Sequence, residues 1–271
     1  MAQVVLITGI SSGFGKATAE ALSEKGYIVY GICRKPFIDN TTRIKVLSAD
    51  VTDASSIQKA VSTLIAQEGR IDILINNAGM GISGSIEDSS LEDISLQMNT
   101  NFTGYVNMIQ SVLPVMRKQG SGTILNISSI GGLMGLPYQG FYSASKYAIE
   151  GFSEALRMEL LPYRIKVVVV QPGDFFTNFT ANRKQVKITV SGSTYESQFQ
   201  KTLSAIEKDE KAGLPPEFLA RKIVSILRRR NPCHHYIVAT FEQKLAVFLK
   251  RVLPSSWFMK ILASHYGIKP Y

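Results

Sequence analysis

The sequence predicts an α/β fold that binds a dinucleotide, and three observations carry that expectation. Short apolar runs of strand length alternate with segments of helical periodicity along most of the chain. The first run passes through a glycine-rich turn, Thr8-Gly9-Ile10-Ser11-Ser12-Gly13-Phe14-Gly15, straight into a helix. A later run ends at Ser128-Ser129, and the helix after it carries Tyr142 and Lys146 one turn apart on one face.

Taken in order, Val4 to Ile7 is wholly apolar, as a strand covered on both faces must be. The helix that follows runs to about Lys25, where Gly26 stops it. Glycines at 9, 13 and 15 let the backbone turn sharply and leave helix N-terminal amides open to a pyrophosphate. Tyr27 to Ile32 is the second strand, and its end bears on the nucleotide. An acid there would hold the free ribose 2′-hydroxyl of NAD, whereas Cys33-Arg34-Lys35 offers no acid and two cations suited to a 2′-phosphate. NADP(H) is therefore the expected cofactor, with NAD(H) still open if those cations merely start a solvated loop.

Ile44 to Ser48 gives a third strand leading into Asp50-Val51-Thr52, where a carboxylate can accept from an adenine amino group. Thr52 or Asp53 caps a helix reaching about Glu68. Ile71 to Ile75 is the fourth strand and ends in Asn76-Asn77-Ala78-Gly79, small residues that let a flat cofactor lie across the sheet edge. From about Leu91 a long helix carries Ile94, Met98, Phe102, Tyr105, Val106 and Ile109 along one face, interrupted by Asn99 to Gly104. Asparagine and glycine cost stability in a helix interior, and Asn101 at such a bend can hold a water. Thr123 to Ile127 is the fifth strand, and Ala144, Ala148, Phe152, Ala155, Leu156 and Leu160 mark the helix after it.

Ile165 to Val170 is the sixth strand, followed by Gln171-Pro172-Gly173-Asp174-Phe175-Phe176-Thr177. Residues 178–214 lack strong periodicity and read as a mobile substrate lid at the sheet's C-terminal edge. Pro215-Pro216-Glu217 opens another helix, and Tyr236 to Ala239 is the last strand. Residues 241–271 form a C-terminal helical extension with apolar stripes at Phe241, Leu245, Phe248, Leu249 and Val252 and at Trp257, Phe258, Ile261 and Leu262. His234 and His235 are adjacent and expected to project apart, and Cys33 and Cys233 have no ligand spacing, so no metal site is expected.

With 45% hydrophobic and 19% charged residues, the 271-residue chain suits one soluble globular domain, residues 1–271. No apolar run is long enough to span a membrane, a strand at Val4 leaves no room for a signal peptide, and two cysteines make no disulfide framework. A cytoplasmic location is the expectation. The net charge of +9 is concentrated: residues 221–271 hold ten Lys and Arg against one acid, Glu242. The first 220 residues carry twenty charges of each sign. Few aromatics accompany the tail's cations, which argues against nucleic acid and for packing on the fold or peripheral contact with a membrane.

A free tyrosine titrates near ~10, and a lysine held beside it favours the phenolate. A serine hydroxyl at the end of the preceding strand can hydrogen-bond a substrate oxygen next to that phenol. Together they make a metal-free proton-transfer site able to protonate a carbonyl as hydride arrives at its carbon.

Thr8-Gly9-x-x-x-Gly13-x-Gly15, Asp50, Asn76-Asn77-Ala78-Gly79, Asn101, Ser129, Tyr142-x-x-x-Lys146 and Pro172-Gly173-x-x-x-Thr177 together resemble the short-chain dehydrogenase/reductase family in order and spacing, over about residues 3 to 240. Gly131 to Pro137 and the tail look like the 17β-hydroxysteroid and retinol dehydrogenase branch. The resemblance implies a Rossmann-type, doubly wound, seven-stranded parallel sheet with helices on both faces. It implies Tyr142 as acid/base, Lys146 lowering its pKa and binding the nicotinamide ribose, Ser129 polarising the carbonyl, and Asn101 holding a relay water. Ser129 rather than Ser128 stands thirteen residues before the tyrosine, as in the family. Gly9, Ser11, Ser12, Gly13, Phe14 and Gly15 would line pyrophosphate and adenosine, and Asp50 and Val51 the adenine. Asn77, Ala78 and Gly79 would meet the adjoining ribose, and Pro172, Gly173, Phe175 and Thr177 the nicotinamide end. Many NADP-dependent members carry a basic residue where this chain has Ser12, so NADP preference rests on Arg34 and Lys35.

The expected activity is NADP(H)-dependent interconversion of a ketone or aldehyde and an alcohol on a bulky apolar substrate, steroid-, retinoid- or lipid-like, by a homodimer or tetramer. The alternatives are a reductase of small carbonyl compounds and a non-catalytic dinucleotide sensor with a basic interaction tail.

Overall fold

The computed structural model describes residues 2–35 and 43–269, so the outermost residues of the 1–271 domain and of the 241–271 extension lie outside the described residues. In chain order the structure has β1 (Val4–Thr8), α1 (Gly13–Glu24), β2 (Ile28–Cys33), β3 (Lys45–Ser48), α2 (Ala54–Glu68), β4 (Ile73–Asn76) and β5 (Ile82–Ser83). It continues with α3 (Leu91–Met98), a π-helical turn (Asn99–Thr103), α4 (Gly104–Gln119), β6 (Gly122–Ile127), a 3-10 turn (Ile130–Gly132) and α5 (Gly140–Leu160). After β7 (Ile165–Pro172) come α6 (Asn178–Ala181), β8 (Lys184–Gln185), α7 (Lys187–Val190) and α8 (Glu196–Lys211). The last elements are α9 (Pro216–Leu227), β9 (His235–Val238), α10 (Phe241–Val252) and α11 (Ser255–His265).

Seven strands form one parallel sheet in the order β3-β2-β1-β4-β6-β7-β9. The central strands are apolar without alternation because both faces are covered: β1 and β4 are buried at every residue. One core packs α2, α4 and α5 against residues such as Leu6, Leu74 and Val167. The other packs α1 and α9 against Ile7, Ile75 and Val168. The strand order reverses between β1 and β4, and a sheet of this kind opens its ligand crevice at the carboxyl ends beside such a reversal.

Asp53 caps α2 by accepting from the Ser55 amide at 2.9 Å. The interruption expected from Asn99 to Gly104 is the π-helical turn joining α3 to α4.

Two expectations are corrected. Residues 178–214 are not without elements: they hold α6, β8, α7 and α8, and β8 pairs in parallel with β5 to make a small second sheet. Helix α8 buries Phe199, Thr202, Leu203 and Ile206, a three-and-four spacing obscured by the many charged and polar residues around it. The rings of His234 and His235 do not project apart, since their centres lie 4.1 Å from each other. His234 Nδ1 is bonded to the Val167 carbonyl, and His235 Nε2 lies 3.2 Å from Glu150.

Candidate active site

A cavity of about 1160 Å³ runs from the carboxyl ends of β1 and β2 to the inner faces of α10 and α11. Its floor begins at the β1–α1 turn. Gly9 has φ +74°, and a Cβ there would stand 2.9 Å from Ala78 Cα. A Cβ on Gly15 would fall 2.2 Å from the Gly9 carbonyl oxygen, so only bare glycine lets the helix start this close to the strand. Ser12 occupies the N-cap of α1 and makes no side-chain capping bond, which leaves the first-turn amides open to an anion. Thr8 Oγ1 accepts from the Asn77 and Ala78 amides, while Asn77 Nδ2 donates to the Thr8 carbonyl, clamping the β1 and β4 ends together. These features fit a pyrophosphate.

Gly9, Ser11, Ser12, Gly13 and Phe14 line the cavity, as do Arg34, Asp50, Val51, Asn77, Ala78, Gly79, Pro172, Gly173, Phe175 and Thr177. Gly15 lies under this wall as packing, and exposed Lys35 lies off it. Asp50 Oδ1 accepts from both the amide and the hydroxyl of Thr52. Phe14 and Phe175 meet edge to face at 4.9 Å.

Ser129, Tyr142 and Lys146 share the far wall. Strand β6 ends at Ile127, and Ser129 caps the 3-10 turn by accepting from the Gly131 amide at 3.0 Å. The hydroxyl hydrogen is thereby left to donate elsewhere. A Cβ on Gly131 would lie 3.3 Å from Tyr142 Cε1 and 3.4 Å from Ser129 Oγ, so phenol and hydroxyl face the same bare glycine. Tyr142 keeps part of its surface open to the cavity, yet burial raises its pKa to about 12, with the Ser129 hydroxyl pulling the other way. The ring of Phe179, from α6, stands 5.8 Å from the tyrosine ring.

Lys146 lines the same wall. Its ammonium sits 5.8 Å from the ring centre and donates to the Ile127 carbonyl at 2.9 Å. Burial lowers the lysine itself to about 8, opposed by the charge of Glu150. Burial favours the neutral phenol of Tyr142, against the opposing charge of Arg183. The side-chain amide of Asn101 is hydrogen-bonded at both ends. Oδ1 accepts from the Met80 amide, and Nδ2 donates to the Met80 carbonyl and to Ser145 Oγ. Its side chain therefore holds the bend against the helix that carries Lys146, and does not line the cavity.

Several wall residues were not among the expected site residues. Asp174, Asp209, Glu210, Gln243, His265 and Tyr266 converge from the loop after β7, from α8 and α10, and from the end of α11. Burial, with the charges of Glu210 and Asp209, raises Asp174 to about 6. Gln243, whose Oε1 accepts from the amide of Thr240 at the N-cap of α10, donates to Asp174 Oδ2 at 2.6 Å, tying the tail to the loop after β7. Glu210 pairs with buried Arg183 and accepts from the Thr180 hydroxyl. The Thr240–Gln243 capping box was a legible signal; nothing local marked the acids. Met134, Val247 and Phe258 form a third apolar cluster with Leu136, Leu249 and Leu262, which seats the tail on the loop after Ser129.

A family model described as short chain dehydrogenase matches residues 3–187. A 3-ketodihydrosphingosine reductase from Bacteroides thetaiotaomicron is 50% identical over 267 residues, covering 98% of this chain and 99% of that protein. The crystal structure of a short-chain dehydrogenase from Streptomyces avermitilis superposes with a TM-score of 0.81 at 29% identity, over 98% of both chains. An actinorhodin polyketide ketoreductase solved with NADPH gives a TM-score of 0.74 at 26% identity, over 88% of this chain and 96% of that one.

Proposed function

The chain belongs to the short-chain dehydrogenase/reductase family and is an oxidoreductase that binds a nicotinamide dinucleotide, and from that premise we propose that it uses NADPH to reduce the ketone of a bulky, lipid-like substrate. The observation that carries the reading is a single cavity with an anion cradle at one end, a neutral phenol beside a donor hydroxyl on its wall, and an apolar tail-lined end. When bound, the nicotinamide supplies the hydride.

Tyr142, protonated at neutral pH because its pKa stands near 12, donates its proton to the carbonyl oxygen. Ser129, whose Oγ already accepts from Gly131, donates a hydrogen bond to the same oxygen as charge builds there. Lys146 binds the nicotinamide ribose, and Asn101 is a positioning residue that fixes the α5 helix through Ser145. Arg34 on the cavity wall, with Lys35 next to it, favours the 2′-phosphate of NADPH. Residues 178–214 act as the substrate lid, with Phe179 against the tyrosine.

Reduction of a keto lipid is supported by the half-identical relative named for that activity and by Met134, Leu136, Leu249, Phe258, Ile261 and Leu262 along the substrate end. A homodimeric or tetrameric state and a peripheral contact of the basic tail with a membrane belong to the same reading. The test is NADPH consumption by the purified protein with a long-chain ketone and with a short aliphatic one. Each buried CH₂ contributes about 0.8 kcal/mol, so kcat/KM for the long chain is expected to exceed that for the short one by at least about 100-fold. A preference for the short ketone would refute the substrate class.

A further inference from the structure

Helix α10 carries two apolar faces. The inner one, Val247 with Ala246 and Leu249, closes the cluster around Met134 and Phe258. The outer one repeats at four, three and four residues: Phe241, Leu245, Phe248 and Val252 are 77%, 44%, 58% and 56% exposed. Helix α11 also exposes apolar residues, Trp257 and Ile261 at 64% and 53%. A helix that only packs on its own domain needs one apolar stripe, with polar residues on the opposite side. A second apolar stripe marks a surface made to be covered.

The charge around this stripe identifies the occupant. Lys244, Lys250, Arg251 and Lys260 lie on the same two helices against Glu242 alone, within the fifty-one-residue segment that carries the whole net charge. A second copy of the chain seated here about a two-fold axis would bring these cations onto one another. An anionic bilayer would instead neutralise them, and Trp and Phe beside Lys and Arg are the residues that interfacial helices use. Among the described residues no helix is long and apolar enough to cross a membrane, so the fit is to a surface seat. Exposed Ile261 also lines the cavity, so the cavity opens beside the exposed apolar residues of α11.

We infer that the outer faces of α10 and α11 seat the protein on an anionic bilayer and that apolar substrate enters the cavity from the bilayer past Ile261. The seat deepens the peripheral membrane contact proposed above, and the entry route rests in addition on the lipid-like substrate. The full chain should pellet with vesicles of phosphatidylcholine and phosphatidylglycerol at low salt, not with phosphatidylcholine alone. It should be released in 1 M salt, where the screening length falls to about 3 Å. Near an anionic surface each Lys or Arg is worth about fivefold in partition. The double variant Lys244→Glu, Arg251→Glu is therefore expected to bind at least about tenfold more weakly, and Phe248→Asp to bind less than the wild type at each salt concentration at which the wild type pellets. All three side chains are exposed and off the cavity wall, so turnover of a soluble short ketone without vesicles should be unchanged in both variants. No pelleting of the wild type, or equal pelleting of the variants, overturns the seat. So does a lipid-free dimer that Phe248→Asp dissociates, because the stripe would then be covered by a second copy. With a long-chain ketone carried in anionic vesicles, Phe248→Asp should lose turnover; unchanged turnover overturns the entry route. A wild type that reduces no long-chain ketone even in detergent refutes the substrate reading and leaves the pelleting result to stand by itself.

Discussion

Replacing Lys146 by Met should stabilise the cofactor-free protein while abolishing its activity. The lysine is 5% exposed, and burial lowers its pKa from the ordinary 10.5 to about 8. At 1.36 kcal/mol per pH unit, holding it charged in the fold costs roughly 3 kcal/mol at pH 7. The substitution also removes the hydrogen bond to the Ile127 carbonyl. That oxygen keeps a donor, the Tyr105 hydroxyl at 3.0 Å, so the loss is only about 1 kcal/mol. The expected net gain at pH 7 is about 2 kcal/mol.

Its pH dependence follows from the direction of the shift. Between about 8 and 10.5 the unfolded chain binds more protons than the folded one, so wild-type stability rises with pH across that window. The advantage of the variant should therefore shrink to near zero by about pH 9.5. Urea unfolding of both proteins without cofactor at pH 7 and 9.5 measures this directly. A variant less stable at pH 7, or an advantage that does not change with pH, would show that the ammonium is not held at a cost. Saturating NADPH should raise the wild-type midpoint more than the variant's, because Lys146 is proposed to bind the ribose.

Two further outcomes follow from the same wall of the cavity. Tyr142→Phe should keep its affinity for NADPH, measured by fluorescence titration, and lose at least about 100-fold in kcat; near-normal turnover would remove the phenol from the mechanism. Arg34→Ala should weaken NADPH by about 10- to 100-fold and leave NADH nearly unchanged, and an equal loss for both cofactors would mean that Arg34 does not read the 2′-phosphate.

Much of the fold was legible because it depends on local chemistry. Strands covered on both faces carry unbroken apolar runs, as β1 does over Val4 to Ile7, β4 over Ile73 to Ile75 and β7 over Val167 to Val170. The glycine turn announces itself because only glycine tolerates φ +74° at residue 9 and the contact at residue 15. The expected break at Asn99 to Gly104 became a π-helical turn for the same kind of reason. Tyr142 and Lys146 were placed together by helix periodicity alone.

What the sequence by itself determined, then, was the layer architecture, the cradle and the side chains proposed to react. Tertiary structure decided how those side chains are poised. Lys146 turns to the Ile127 carbonyl because a buried ammonium must be hydrogen-bonded, and Tyr142 stays neutral because the protein around it excludes water. Asn101 is taken up by Met80 and Ser145, residues distant from it in the chain. Residues 178–214 become helices and a two-stranded sheet only because β5, Arg183 with Glu210, and the inner faces of the tail are there to pair with and pack against. Periodicity reports which face of an element is apolar; which neighbour covers that face, and which charges the covering removes from water, depends on contacts between distant parts of the chain.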